Sequence, residues 1–259
     1  DSDVLVCSLG STGSTILVVD GYDRWNAQSG GVNHTFLEKF ADALSGNGAR
    51  YDSCVNEALT GGSISLSDYS IVMWMSGEET TESETLSYDE QILLQNYLKQ
   101  GGALFISGAE IGWDLIARGG SLNNYSNGSD NDTAFHRNFL KAEFVSDDAN
   151  TYSVTGVNAT GFAGLSFSFD DGTRGTYNVR YPDVLATYGG STNALYYGAG
   201  PNVAGIVYSG TFPDGTFPGK LVYFGFPFET IYDVAARTNV MSSVLAYLTP
   251  TPVNLWQMY

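Results

Sequence analysis

Four runs of strand length alternate with helical segments in the first half of the chain, and this alternation most constrains the fold. The runs are "STILVVDG", "ARYDSCV", "YSIVMWMSG" and "ALFIS". The third shows no polar–apolar alternation over its centre, as expected of a strand covered on both faces. Strands that alternate with helices predict an α/β fold: a mainly parallel, flavodoxin-like sheet with right-handed crossovers, flanked by helices.

The helices between these strands have local sequence signals. Residues 33–44 carry apolar side chains at helical spacing, followed by the helix-ending sequence "SGNG". Residues 87–100 form the clearest helix, because Ser87 and Glu90 have the spacing of a capping box and a glycine pair follows. We therefore expect crossover helices at both places.

The second half of the chain changes character. Short Tyr-, Val- and Phe-rich runs separated by turn residues predict an antiparallel β-rich insertion at about 142–215. The run "KLVYFGF" and a helix at 234–248 then return to the core. The predicted organisation is a single domain over residues 1–259, with an N-terminal arm at 1–13 and a C-terminal tail or linker at 249–259.

The charge balance excludes several classes of partner. Acidic residues number 28 against 11 basic ones, a net charge of −17, whereas binding to nucleic acid or anionic membranes needs clustered Lys and Arg. No stretch approaches the roughly 20 apolar residues of a membrane helix, so no membrane insertion is expected. A charged fraction of only 15%, with 31 Gly and 17 Tyr, is typical of a secreted bacterial protein. Because the chain opens on Asp, we expect a processed or excised product, with further domains of a larger secreted chain a possible context.

The two cysteines, Cys7 and Cys54, fit the same picture. In a secreted protein they are expected to form a disulfide, and the alternative is two buried thiols in a cytoplasmic protein. The sequence has no Cys/His cluster, so no zinc site is predicted. Oxygen-rich stretches at 126–133 and 170–173 raise the possibility of Ca²⁺, but neither has EF-hand spacing. We interpret both as turns and predict no cofactor.

The carboxyl ends of the core strands give the candidate site, since ligands bind there in open parallel sheets. Carboxylates, aromatic residues and one arginine follow four of the strands. They are Asp20, Tyr22, Asp23, Arg24 and Trp25 after the first, Glu78 and Glu79 after the third, Glu110, Trp113 and Asp114 after the fourth, and Glu229 after the last.

Residues 108–112, "GAEIG", have the G-x-nucleophile-x-G spacing of a nucleophile elbow, but Glu110 stands at the central position. There its carboxylate could accept the amides of the following helix as a cap, or could contact a ligand. A third interpretation pairs Glu110 with Glu229 or Glu78 for glycosidic cleavage, which needs two carboxyls about 5–10 Å apart. The alternative is that the rim aromatics pack and Arg24 neutralises a neighbouring acid.

The order of elements, the elbow and the closing "YFGFPFE" resemble the class I glutamine amidotransferase-like fold. In that family the elbow holds a nucleophilic Cys, and a Phe-His-Pro-Glu type motif completes the triad. Here Glu110 stands at the Cys position, and Phe226-Pro227-Phe228-Glu229 keeps the Glu without the His. "ILVVDGYDRW" and "SGAEIGWDL" also resemble modules of secreted bacterial proteins often labelled xanthan lyases. The resemblance covers the core, about 14–118 and 216–248, and carries over no catalytic residue.

The resemblance therefore implies lost catalysis. Neither His34 nor His136 stands at the family's position, and we interpret both as surface or packing residues, with His34 nearer the rim. The leading hypothesis is a secreted, catalytically degenerate binding or accessory module acting on polysaccharide or cell-surface material, and not a working amidotransferase. The alternatives are a carboxylate-dependent glycan hydrolase and a self-assembling extracellular structural protein, in which the insertion and tail make subunit contacts.

Overall fold

The computed structural model describes residues 15–23, 34–80, 84–118, 129–158 and 160–249. Within these ranges, eleven strands form one continuous sheet. The strands are Ile16–Asp20 (β1), Asp52–Val55 (β2), Ile71–Gly77 (β3), Ala103–Gly108 (β4), Ala142–Ser146 (β5), Ser153–Gly156 (β6), Ser166–Ser168 (β7), Val184–Thr187 (β8), Thr192–Tyr197 (β9), Val203–Thr211 (β10) and Pro218–Phe224 (β11).

One half of the sheet is parallel. β1 pairs with β2 and β3, β3 pairs with β4, and β4 pairs with β11, all in parallel, which gives the order β2-β1-β3-β4-β11. This is the flavodoxin-like order. Every residue of β1, β3 and β4 is buried, as their continuous apolar sequences predict. The predicted fold class is confirmed.

The other half of the sheet is antiparallel. β10 pairs with β11 in antiparallel fashion, and the sheet continues through β9 and β6 to β7, while β8 pairs with both β10 and β5. The strands β5 to β10 fall within the segment where the sequence predicts β-rich structure. These strands therefore extend the parallel sheet from the side of β11.

Five α-helices flank the sheet in the described part of the chain. They are Leu37–Gly46 (α1), Asn56–Thr60 (α2), Tyr88–Lys99 (α3), Ser129–Asn138 (α4) and Val234–Leu248 (α5). A 3-10 turn, His34–Phe36, precedes α1, and a π-helical segment, Trp113–Arg118, follows the elbow. No described helix is both long enough and apolar enough to cross a membrane.

The predicted capping box at the start of α3 is confirmed. The amide of Glu90 donates to the hydroxyl of Ser87 at 3.4 Å, and the amide of Ser87 donates to the Glu90 carboxylate at 2.7 Å. These two bonds satisfy amides that the first turn of a helix leaves unpaired. Gly101 then ends the helix region with a φ of +87°, a conformation that glycine adopts without strain.

The sheet buries an apolar cluster on each face. Phe40 of α1, Phe105 of β4 and Phe228 pack together on one side, whereas Trp74 of β3 and Leu94 of α3 belong to the cluster on the other side. Each of these side chains is completely buried, which contributes about 1.5–3 kcal/mol apiece. The strand ends that carry the candidate site are thus held by a well-packed core.

Candidate functional site

The candidate site lies at the carboxyl ends of the parallel strands. Asp20 ends β1, Glu78 directly follows β3, and Glu229 follows β11. The charges of Asp20 and Glu78 both raise the pKa of Glu229, so the three carboxyls share one region of the rim. Arg24 and Trp25, which the sequence also assigns to this rim, lie outside the described residues.

Asp20 is paired with a histidine. Its carboxylate lies 3.0 Å from Nδ1 of His34 and accepts the amide of Tyr22 at 3.2 Å. Asp20 is only 1% exposed, whereas the His34 side chain is 42% exposed. The hydrogen bond to Asp20 raises the pKa of His34, and the nearby charges of Asp23 and Glu57 act in the same direction. His34 therefore belongs to the rim, nearer the site than its interpretation as a surface or packing residue implied.

Asp23 takes part in a second polar group. Asn56 donates from Nδ2 to Asp23 and to Glu90, each at 2.8 Å, and so links the loop after β1 to the start of α3. The pKa of Asp23 is raised to about 7, chiefly by burial; the neighbouring carboxylates Glu57 and Glu90 act in the same direction, against the lowering effect of the Asn56 hydrogen bond. Such a carboxyl titrates near neutral pH, a property common at functional sites.

Glu229 is fully buried beneath a tyrosine of the β-rich segment. The hydroxyl of Tyr177 donates to Glu229 Oε1 at 2.5 Å. Burial is the main cause that raises the pKa of Glu229 to about 7. The ring of Tyr177 also packs against Phe36 and Tyr22, with ring centroids 5.0 Å and 5.7 Å away. We call residues 177–183 the covering segment, because its first residue closes over Glu229 and its last contacts the elbow.

The elbow itself is bonded by the other end of the covering segment. Asp183 Oδ2 accepts the amides of Gly112 at 2.6 Å and Trp113 at 3.3 Å, and the Asp183 amide donates to the carbonyl of Ala109 at 3.0 Å. Glu110 accepts a hydrogen bond from the hydroxyl of Thr80. The acceptor at the amides of Gly112 and Trp113 is Asp183, which the fold brings from the β-rich segment.

Space at the elbow is tight around Gly112. A Cβ atom added there would lie 3.0 Å from Asp183 Oδ2, 3.0 Å from Phe144 Cδ2 and 3.3 Å from His136 Nε2. Burial raises the pKa of Asp183 well above its usual range, and the charge of Glu110 raises it further. Glycine at this elbow position is thus needed for the close approach of Asp183.

The remaining rim residues contribute to local structure. Asp114 accepts the amide of Thr85 at 3.0 Å, and the hydroxyl of Thr85 donates to the carbonyl of Glu79 at 3.2 Å. Glu79 is buried, and the Trp113 ring lies 6.2 Å from that of Phe144. These contacts hold the connection after β3 against the elbow.

His136 is a packing histidine. It is fully buried, and its Nδ1 lies 2.9 Å from the carbonyl of Ala142. A carbonyl only accepts, so Nδ1 carries the hydrogen of the neutral ring. Burial lowers the pKa of His136 to about 4, which keeps the ring neutral at physiological pH.

The possible ion and disulfide sites have mixed outcomes. Both carboxylate oxygens of Asp170 accept hydrogen bonds from within their own loop, including the amides of Gly172 and Thr176 at 2.7 Å and 2.8 Å, as in a turn. The stretch 126–133 falls partly outside the described residues. Among the residues that the structure does describe, no group of three or more Asp, Glu, His or Cys side chains is arranged to hold a metal ion. Cys54 is buried, and Cys7 lies outside the described residues, so the disulfide stays a prediction.

Sequence reasoning missed two residues of the site, Tyr177 and Asp183. Tyr177 lies 52 positions from Glu229, and Asp183 lies 71 positions from Gly112. The segment "YNVRYPD" carries no spacing that points to either contact. Its only signal is a carboxylate and tyrosines close together inside a β-rich segment.

Comparison with known proteins shows a fold and no activity. No protein-family model and no curated protein matches the chain. Solved structures do match. A β-galactosidase from Rahnella sp. R3 is 15% identical with a TM-score of 0.55, over 95% of this chain and 33% of that one. A β-galactosidase from Bacillus circulans sp. alkalophilus is 15% identical with a TM-score of 0.52, over 92% of this chain and 32% of that one.

The chain thus spans about a third of the length of these two β-galactosidases. A glutamine amidotransferase from Thermotoga maritima also aligns, with 14% identity and a TM-score of 0.46, over 90% of this chain and 84% of that one. At 15% identity the likeness to the two β-galactosidases is one of fold alone. That fold is the mixed α/β architecture described above, with a mostly parallel sheet flanked by helices.

Proposed function

We propose that the chain is a secreted, catalytically degenerate amidotransferase-like domain. It serves as a binding or accessory module of an extracellular bacterial protein that acts on polysaccharide or cell-surface material. The supporting observation is the state of the elbow, where a carboxylate, Glu110, stands at the nucleophile position and Asp183 accepts the amides of Gly112 and Trp113.

The elbow amides matter because of their chemistry in active enzymes. There, the backbone amide of the residue after the nucleophile, which here is Ile111, helps to stabilise the negative charge that develops on the reacting oxygen. Here a buried carboxyl group, Asp183, accepts the next two amides of the turn and is anchored by its own amide at the carbonyl of Ala109. The turn thus carries a carboxylate in place of a nucleophilic thiol and holds a second carboxyl group at its amides, which favours a role without acyl transfer.

The burial of Glu229 supports the same proposal. An acid–base pair for glycosidic cleavage needs both carboxyls in contact with the sugar. Glu229 is 0% exposed and lies beneath the Tyr177 hydroxyl, so a substrate would reach it only after the covering segment moved.

A carboxylate-dependent hydrolase is the second candidate, because one observation favours it. Burial raises the pKa values of Asp23 and Glu229 to about 7, where a carboxyl can exchange a proton at neutral pH. In this reading Glu110 acts with Glu229 or Glu78, and the covering segment opens for the substrate.

A glycan array combined with product analysis separates the two candidates. The module predicts that the wild type and Glu110→Gln bind the same glycans with similar signal and release no product. The hydrolase predicts released sugar that is lost in both Glu110→Gln and Glu229→Gln. An Asp214→Asn variant, which removes an exposed charge at the amino-terminal edge of β4, is the matched control. Failure of the wild type to bind any glycan would contradict the proposed function.

A further inference from the structure

A cleft lies at the amino-terminal ends of β3, β4 and β11, at the edge of the sheet opposite to the rim. Its volume is about 530 Å³, within the roughly 300–1,000 Å³ of small-molecule sites. The turn before β3, the last turn of α3 and the end of α5 line it. Several of the lining side chains are exposed, so the cleft opens to solvent. A ligand can therefore enter it without any movement of the covering segment.

The lining of this cleft combines buried apolar side chains with exposed polar ones. Leu66 and Leu248 are buried. Asn96 and Gln100 are exposed and stand one helical turn apart at the end of α3, where each side-chain amide offers both a donor and an acceptor. Hydroxyl groups line another part of the cleft, those of Ser65, Ser67 and Ser70. The chemistry of the lining is thus that of uncharged hydrogen-bonding groups beside apolar surface.

The cleft carries no excess of positive charge. Among the described residues that line it, Lys220 alone is charged. Its ammonium donates to the carbonyls of Tyr247 and Thr249 at 2.7 Å and 2.8 Å, so the negative end of the α5 dipole offsets its charge. The end of α3 adds a partial negative charge, and Asp68 is exposed in the turn before β3. An anionic ligand therefore gains little here, and the net charge of −17 disfavours it further.

The glycine wall of the cleft is fixed before any ligand arrives. The hydroxyl of Tyr97 accepts the amide of Ala103 and donates to the carbonyl of Ala103, both at 3.2 Å. A Cβ atom added to Gly102 would clash with the ring of Tyr97, so only glycine lets the chain pass this close to it. A wall that is already ordered loses little entropy when a ligand binds.

Phe217 places an aromatic ring beside the cleft. It directly precedes the lining residue Pro218, and a Cβ atom added to Gly101 would lie 3.0 Å from its Cβ atom. Phe217 is 59% exposed, the second-highest value among the large exposed apolar residues described. The face of an aromatic ring attracts polarised C–H groups, which the apolar face of a sugar ring presents. An exposed ring beside uncharged amides and hydroxyls suits a neutral sugar.

We propose that this cleft binds a neutral oligosaccharide. One sugar ring stacks on Phe217, and hydroxyl groups of the chain of sugars form hydrogen bonds with the side-chain amides of Asn96 and Gln100. The inference rests on the proposed function and gives that module its binding site and its ligand class. The site lies at the edge of the sheet opposite to Glu110 and Glu229, and its charge excludes glycans rich in uronic acids.

The test uses four hexasaccharides of matched length, built from glucose, mannose, galactose and galacturonic acid. Calorimetry with the whole chain is expected to show binding of a neutral hexamer, with the galacturonic acid hexamer at least about tenfold weaker. Asn96→Ala is expected to weaken binding about fivefold, the effect of one lost hydrogen bond. Phe217→Leu keeps an apolar side chain but removes the ring, and is expected to weaken binding several-fold.

Asn239→Ala is the matched control for Asn96→Ala. Asn239 is likewise an exposed asparagine on a helix, and it stands more than two turns before Leu248 in α5. We expect the control to bind with the affinity of the wild type.

Amide NMR shows at which edge of the sheet the ligand lies. Titration with the neutral hexamer is expected to shift the signals of Gly101 and Gly102 and to leave that of Gly112, at the elbow, in place. Binding that is unchanged in both variants, or that shifts Gly112 alone, overturns this inference and leaves the proposed function standing.

The remaining outcomes are also decisive. Binding that appears only after deletion of residues 250–259 would assign the cleft to the chain itself and overturn the inference. If no neutral hexamer binds, the inference fails, and if the glycan array is also blank, the proposed function fails with it. Equal binding of the galacturonic acid hexamer overturns the assigned charge class.

Discussion

Glu229 makes the stability of this protein depend on pH in a way that one substitution isolates. Burial raises its pKa from 4.5 to about 7, so the native state holds the proton more tightly than the unfolded chain does. At roughly 1.36 kcal/mol per pKa unit, this difference corresponds to about 3 kcal/mol. The stabilisation is fully present below pH 4.5 and is lost as pH rises through about 7. From this group alone, the wild type is therefore less stable at about pH 8 than at about pH 4.5.

Glu229→Gln removes this dependence because an amide does not titrate. The new side chain can still accept from the Tyr177 hydroxyl, but its buried NH₂ group needs a partner, at a cost of about 1–3 kcal/mol that does not vary with pH. The free energy of unfolding of the variant minus that of the wild type should thus rise by about 3 kcal/mol between low and high pH. Other titrating groups, such as Asp23, are present in both proteins and cancel in the difference.

Urea unfolding followed by tryptophan fluorescence at a series of pH values measures this difference. Asp214→Asn is the matched control, because Asp214 is exposed. We expect the pH profile of the control to run parallel to that of the wild type. A parallel profile for Glu229→Gln as well would refute the reasoning, since it would mean that the buried carboxyl has an ordinary pKa in the native state.

Three further predictions concern the elbow and the cysteines. Gly112→Ala should lower the free energy of unfolding by about 1–3 kcal/mol in urea titrations, because the added Cβ crowds Asp183 and Phe144. Asp183→Ala should cost at least about 1–3 kcal/mol and lower the Tm, because two buried elbow amides lose their acceptor, and an unchanged Tm would contradict that role. If Cys7 and Cys54 form the predicted disulfide, reduction should raise the intact mass by about two hydrogens and lower the Tm, whereas an unchanged mass would refute the pairing.

The core of the fold can be predicted from the sequence because the signals for its strands and helices are local. Continuous apolar runs predict β1, β3 and β4, and the Ser87–Glu90 spacing predicts the start of α3, since each depends on residues a few positions apart. The rule that ligands bind beyond parallel strand ends also predicts that Asp20, Glu78 and Glu229 lie in one region, and the charges of Asp20 and Glu78 do act on Glu229.

The contacts of the covering segment cannot be predicted from the sequence, because they are not local. These contacts join the β-rich segment to the core over 52 and 71 residues, and neither Tyr177 nor Asp183 stands out in its own neighbourhood. The acceptor of the Gly112 amide is a carboxyl group from a distant part of the chain, Asp183, whose own amide donates to the carbonyl of Ala109.

The double attachment of the covering segment has a consequence for protein engineering. A shortened chain without residues 142–215 would lose the acceptor of the Gly112 amide and the hydroxyl above Glu229 at the same time. Such a deletion would leave polar groups of the parallel half exposed or unpaired, although the strands of the parallel half would all be present. The β-rich half therefore cannot be replaced independently of the core. A chimaera between related proteins should take the β-rich half and the elbow from the same parent.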